Sequence, residues 1–338
     1  MRPGLLLLAG MLAIRAAAGA EAFLLPTANR ALFGPAGPAA FFAPVPGRDW
    51  NSGRFGCVRS EGRQMHEGLD ILTVQRDRTG EPTDPVLAVA AGTVAYVNAQ
   101  AGLSNYGRYV ILRHRLEGLE VFTLYAHLRD IGDGVRVGAG LGQGQRLGTL
   151  GRSTNTKTPI TKDRAHLHFE VNLLLNDAFN RWHRENLPGQ RNDHGLWHGR
   201  NLAGLDPEAL YRAQRAAGRG FSLADHVRGQ DELFRVLVPA GKFSFLRRYA
   251  PLVQRNPRAE REGIAAFEMS LSFNGVPFRL MPRAQGELAG PVQRRLLSVN
   301  EAVAGRHGCR RLVVKRGQTW TLTAAGQELI GLVTYLPE

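Results

Sequence analysis

Ala165-His166-Leu167-His168-Phe169-Glu170-Val171 is the stretch whose reading decides the fold. Polar and apolar residues alternate along it, with an aromatic and a β-branched residue in place, so it reads as a strand. Side chains at i and i+2 of a strand share a face. His166 and His168 therefore look one way, and Leu167 and Phe169 the other. Two adjacent imidazoles are poor core filler, because each ring has two nitrogens to satisfy. Taken alone, the pair reads equally well as two exposed strand histidines.

A second cluster upstream shifts that balance: His66-Glu67-Gly68-Leu69-Asp70. Gly68 argues against a long helix, and Ile71-Leu72-Thr73-Val74 reads as a strand. His66 and Asp70 then sit where a loop enters a strand, with Asp70 pointing inward. This is not the helical His-Glu-x-x-His signature. A third element, Leu124-Tyr125-Ala126-His127-Leu128, follows the apolar pattern Leu119-Glu120-Val121-Phe122-Thr123 and puts His127 at a strand end. By itself His127 would be a surface histidine. Together the clusters offer two or three neutral nitrogens and a carboxylate oxygen, a zinc ligand set with an open fourth position. Such a set points to hydrolysis by a metal-activated water.

In this order the three motifs resemble the lysostaphin-type (LytM-like) zinc metallopeptidases, which cut bacterial peptidoglycan. That family uses His-x-Gly-x-Asp, a strand histidine and His-x-His. Matched residue by residue, the resemblance implies that His66, Asp70 and His168 hold one Zn2+ per chain and that His127 and His166 are the catalytic pair. Gly92-Thr93-Val94 after Val86-Leu87-Ala88-Val89-Ala90, then Tyr109-Val110-Ile111-Leu112-Arg113-His114, then Gly144-Gln145-Arg146-Leu147-Gly148 follow the family's strand and turn patterns. The likeness covers roughly residues 50–175. It implies a mainly β fold: an antiparallel β-sheet catalytic domain of lysostaphin/LytM type, the duplicated hybrid motif. The implied activity is that of a zinc metalloendopeptidase acting on stem peptides or cross-bridges of peptidoglycan, its expected partner. Two features depart from the pattern. The glycine-rich turn is stretched over Val137–Gly144, and a long insert, Asn172 to Leu205, precedes Asp206-Pro207. The insert carries Trp182, His183, His194, Trp197 and His198 and is expected to line or lid one wall of the groove.

The rest of the 338-residue chain divides by composition. Residues 1–20 read as a signal peptide: Arg2, a short apolar run from Leu5 to Ile14, and small residues before Glu21. The run is too short to span a bilayer, and no later stretch is apolar enough to do so. The expectation is an exported protein, in the periplasm or at the cell wall outside the cell. Residues 21–49 are a Pro/Gly-rich leader, read as extended or irregular. It is either an innocent leader or, as the resemblance to latent members of that family implies, a pro-segment whose asparagine, Asn29 or the neighbouring Asn51, takes the fourth zinc position. Residues 50–215 are read as the metallopeptidase domain and 216–338 as a small β-rich C-terminal domain. In the latter, Asn274-Gly275 marks a hairpin, Arg311–Lys315 and Thr319–Thr323 form a second, and Leu329–Tyr335 is read as a further strand. Cys57 and Cys309 are the only cysteines, and whether they pair is open. A formal net charge of +14 favours anionic partners. The basic residues are scattered and no nucleic-acid-binding signature is present, so a wall polymer is preferred over nucleic acid. Two rival readings stand beside the enzyme: a non-catalytic wall-binding or hydrolase-activating relative, and a secreted protease acting on Gly-rich proteins.

Overall fold

Alternating runs between residues 56 and 174 fold into antiparallel strands, as period-2 patterning requires. The computed structural model describes residues 22–337; the signal-peptide reading of residues 1–20 lies outside them. Eleven strands come first: β1 (Gly56–Arg59), β2 (Gln64–His66), β3 (Leu69–Leu72), β4 (Pro85–Leu87), β5 (Gly92–Asn98), β6 (Arg108–Leu116), β7 (Leu119–Leu128), β8 (Asp130–Ile131), β9 (Gly140–Leu141), β10 (Arg146–Thr149) and β11 (His166–Leu174). Helix α1 (Phe179–Asn186), β12 (Leu202–Leu205) and α2 (Pro207–Ala217) follow. The main sheet runs β12-β11-β7-β6-β5-β9. β3 pairs with the first half of β11 and β12 with the second, so both occupy one edge of that strand.

Register decides which side chains meet. His168 lies opposite Asp70 on β3 and Ala126 on β7, and His166 lies opposite Leu72. Directly opposed residues share a face, so Asp70, His166 and His168 project together. On that face the sheet continues as a small apolar cluster of Tyr109, Ile111, Phe122, Leu124, Ala126 and Leu174. The opposite face buries Val110, Leu112, Val121, Tyr125, Leu167, Phe169 and Val171 in the main core.

The leader is irregular, as its prolines and glycines require, but it is structural. Phe23, Leu25, Leu32, Phe41 and Phe42 are buried in the main core. Its backbone runs beside β3: Leu72 N–H donates to Phe41 O (2.9 Å) and Ala43 N–H to Asp70 O (2.8 Å). The strand bearing Asp70 is thus held by β11 on one side and the leader on the other. Neither asparagine approaches the histidines. The Asn29 amide donates to the Ala40 and Leu72 carbonyls, and the Asn51 amide bonds to Asp49.

The insert extends the sheet before it leaves it. Leu173 and Leu174 belong to β11, and the helix of the insert starts only at Phe179. β12 then returns antiparallel to β11. α2 begins as its Asp-Pro start predicts, with the Asp206 carboxylate accepting from Glu208 N and Ala209 N and Pro207 in the first turn.

Beyond residue 217 the strands are joined by short helices. Helix α3 (Leu223–Arg228), β13 (Phe234–Pro239), α4 (Ser244–Arg248) and α5 (Pro257–Glu262) lead into β14 (Ala266–Leu271) and β15 (Pro277–Arg283). β16 (Arg295–Val299), α6 (Glu301–Arg306), β17 (Val313–Arg316), β18 (Thr319–Leu322) and α7 (Ala324–Val333) complete it. The sheet order is β15-β14-β13-β16, with β17-β18 a separate hairpin. The Asn274-Gly275 and 311–323 hairpins form, but Leu329–Tyr335 does not make a strand. Thr323 caps a helix there by accepting from Gly326 N, and Leu329, Ile330, Leu332 and Val333 fill its buried face. Apolar positions at i, i+1, i+3 and i+4 suit a helix, and a short apolar run alone does not separate the two readings.

The two regions share one apolar core, in which Phe42, Leu69 and Phe169 belong with Phe234, Phe245 and Ile330. Leu174 N–H donates to the Tyr249 hydroxyl (2.7 Å) across that junction. Cys57 and Cys309 form a disulfide that ties β1 to the segment before β17. No helix among the described residues is long and apolar enough to cross a membrane.

Candidate metal centre

The ligand set is assembled by three strands. His66 ends β2, Asp70 lies on β3 and His168 on β11, and all three are buried. His66 Nε2 is 3.1 Å from Asp70 Oδ1 and 3.2 Å from His168 Nδ1, and His168 Nδ1 is 3.0 Å from Asp70 Oδ1. Ligands bonded to zinc at ~2.0–2.2 Å in a tetrahedron stand about 3.3–3.6 Å apart. The set is therefore within a few tenths of an ångström of a zinc triad, and these three residues fit the ion. Gly68 allows the close turn between them: a Cβ there would lie 2.2 Å from the Phe169 carbonyl oxygen.

Each histidine is oriented by its second nitrogen. His66 Nδ1 bonds to Arg54 O at 2.6 Å, His166 Nδ1 to Arg164 O at 2.6 Å, and His127 Nδ1 to Ser153 O at 2.8 Å. Carbonyls only accept, so these nitrogens carry the protons and the Nε2 lone pairs remain for the site. His168 is turned the other way. Its Nε2 donates to Glu170 Oε1 (2.8 Å), which leaves Nδ1 toward the ligands. Glu170 also accepts from the Tyr106 hydroxyl (2.5 Å) and the Asn172 amide (2.8 Å). The Tyr106 ring stacks on His168 with centroids 5.0 Å apart. Such outer partners fix ring orientation and ligand basicity.

His127 stands beside His166 with ring centroids 4.9 Å apart, and 6.0 Å from His168. Its backbone is left-handed, φ 61°, which for a residue other than glycine costs about 1–3 kcal/mol and is found where a site over-determines it. The Tyr106 carbonyl holds the turn by accepting from His127 N–H (2.9 Å). All five residues expected from the motifs are thus gathered in one place. His114 is not near them. It lies in the main core, bonded to Ala91 O and Thr123 Oγ1.

The electrostatics follow from burial and crowding. Burial alone would raise the Asp70 carboxyl, but the neighbouring His166, His66 and His168 hold it well below the usual range. Burial works against a charge on His168, yet its bonds to Asp70 and Glu170 win and raise it to about 10. His127 goes the opposite way, to about 3, through burial and the neighbouring His166 and His168. Burial also lowers His166. The centre therefore pairs one histidine that favours charge with two held as neutral bases.

Three contributors had no signal in the ligand motifs. Glu170 was legible only as the next same-face position after His168. Tyr106 arrives from the loop before β6. Arg59, on β1, places Nη2 2.5 Å from Asp70 Oδ2 and 3.0 Å from His66 Nε2. The insert packs on the metal-bearing face of the sheet beyond Tyr106. There Tyr96 bonds to His194 Nδ1 (3.0 Å), and Trp197 packs on Phe122 with centroids 5.2 Å apart.

A buried His-Asp-His triad that could hold a metal ion, with two further histidines beside it, is displayed on an antiparallel sheet. Residues 64–180 match Peptidase family M23. Among solved structures the chain is similar to a zinc-containing peptidase from Vibrio cholerae: 25% identity, 39% of this chain and 30% of that one, TM-score 0.23. It is similar to the catalytic domain of the antimicrobial peptidase lysostaphin from Staphylococcus simulans: 21% identity, 39% and 75%, TM-score 0.25. It is also similar to cbpa from L. salivarius REN: 22% identity, 53% and 98%, TM-score 0.30. No curated protein matches the chain.

Proposed function

We propose that the protein is an exported zinc metalloendopeptidase that hydrolyses peptide bonds in peptidoglycan stem peptides or cross-bridges. The observation that carries the reading is the joint geometry of His66, Asp70 and His168 with His127 and His166 alongside. When bound, zinc supplies a Lewis acid and an acidified water. The chain's own residues do the rest. Glu170 and the Arg54 carbonyl hold the His168 and His66 rings so that Nδ1 and Nε2 face the site. His127 and His166 keep their Nε2 lone pairs unprotonated, because their Nδ1 protons are committed to backbone carbonyls. Either Nε2 can take a proton from the attacking water and return it to the departing amine. Export is supported by the N-terminal pattern and by the disulfide, a bond of oxidising compartments. The net charge of +14 suits an anionic wall polymer.

The test is mass spectrometry of purified peptidoglycan digested with the mature protein, with and without a zinc chelator. Chelator-sensitive release of peptide-cleaved fragments is the expected result and identifies the bond. Peptidoglycan left intact by zinc-loaded protein would overturn the substrate assignment. His168→Ala is expected to abolish zinc binding, and His127→Ala to keep zinc and lose turnover.

A further inference from the structure

Two arginines crowd the ligand set. Arg59 bonds to Asp70 and His66 through Nη2 alone, and no partner accepts from its Nε or Nη1 among the described residues. Arg164, two residues before His166, donates Nε to Pro44 O (3.0 Å), leaving both terminal nitrogens without an acceptor among the described residues. It pairs with no carboxylate among them, and the Pro44 carbonyl that it binds adjoins Ala43, whose N–H donates to Asp70 O (2.8 Å), so its guanidinium lies on the leader segment that runs beside the strand bearing Asp70. Among the described residues Asp70 is the only carboxylate paired with Arg59, and it is also a member of the ligand triad. Once Asp70 and His66 are given to a divalent cation, the Arg59 guanidinium loses both of its partners, and the terminal nitrogens of Arg164 have no acceptor among the described residues either. Glu170 does not relieve them, because its oxygens are committed to His168, Tyr106 and Asn172.

We infer that Arg59 and Arg164 form a carboxylate-binding subsite beside the metal triad, so that the preferred substrate carries a free carboxylate next to the scissile bond. A guanidinium presents a planar fork of donors matched to a carboxylate. The inference rests on the peptidase reading above and deepens it by naming the substrate class. The carboxylate comes either from a chain end or from a side stem, and the same arginines would read both.

The experiment uses synthetic cross-linked stem-peptide dimers containing diaminopimelate in three forms: all carboxylates free, the terminal α-carboxylate amidated, and the diaminopimelate side carboxylate amidated. Binding to zinc-loaded His127→Ala protein is measured by calorimetry, and turnover by the unsubstituted chain is measured separately. One of the two amidations is expected to weaken binding by about tenfold or more, the effect of losing one charge-assisted hydrogen bond; which one does so identifies the source. Arg164→Gln is expected to erase that difference while binding the amidated dimer as before, and Arg164→Lys to restore part of it. Urea midpoints confirm that the Arg164 variants fold. Equal binding of free and amidated dimers, an unchanged preference in Arg164→Gln, or no binding of any dimer overturns the subsite. Absence of turnover with the binding preference intact counts against the peptidase reading instead.

Discussion

Replacing Glu170 by Gln tests how much of the proposed metal centre is built outside its ligands. The Glu170 side chain is 3% exposed and accepts three hydrogen bonds: from His168 Nε2, the Tyr106 hydroxyl and the Asn172 amide. A carboxylate has lone pairs for all three, whereas a glutamine offers one acceptor oxygen and an NH2 that only donates. Either orientation of the amide sets its NH2 against a donor. If His168 loses its acceptor, Nε2–H no longer fixes the ring with Nδ1 toward Asp70. The negative charge that makes the imidazole a stronger donor to a cation is lost as well. Outer-sphere losses of this kind weaken metal binding about 10–100-fold, or about 1.4–2.7 kcal/mol. The assay is zinc competition against a chromophoric chelator at pH 7, with circular dichroism confirming the fold. Asn172→Ala, which removes only one of the donors, is expected to change affinity far less. Zinc binding in Glu170→Gln within about twofold of the unsubstituted protein would refute the claim that Glu170 orients His168.

Other tests address the frame. Gly68→Ala drives a Cβ into the Phe169 carbonyl oxygen at 2.2 Å; β3 must move off β11, so both the melting temperature and zinc affinity are expected to fall. Phe42, fully buried where the leader bridges Ile71, is expected to cost about 3–5 kcal/mol on truncation to Ala, read as a urea midpoint shift; a change under about 1 kcal/mol would show that the leader is dispensable. Separating Cys57 from Cys309 by serine substitution is expected to cost about 2–5 kcal/mol, again read in urea. For pH, His127 is held at about 3 when folded, against about 6.5 unfolded. Between those values the unfolded chain binds more protons, so the stability of the metal-free protein should decline as pH falls below about 6.5. In His127→Gln the decline should be shallower. An unchanged slope would argue against a buried neutral His127.

The candidate site was largely legible because its key relations are short-range. A two-residue strand period puts His166 and His168 on one face whatever the rest of the chain does. Glu170 continues the same face, and Gly68 marks a turn tight enough to exclude a side chain. The hairpins and the Asp206-Pro207 helix start were local as well. Leu329–Tyr335 misled because a short apolar run satisfies helix and strand alike, and the choice fell to the Thr323 cap and the core facing α7.

What the sequence determined by itself was the ligand chemistry and the strand character of the segments bearing it, since both depend on residue type and spacing. Tertiary structure decided what lies across those segments. It set Arg59 against Asp70, brought Tyr106 onto His168, and joined Cys57 to Cys309 over 252 residues. It also turned a proline-rich leader into part of the core. The physical reason is that these contacts join segments far apart along the chain. They form through sheet register and burial of apolar surface, which no local periodicity encodes.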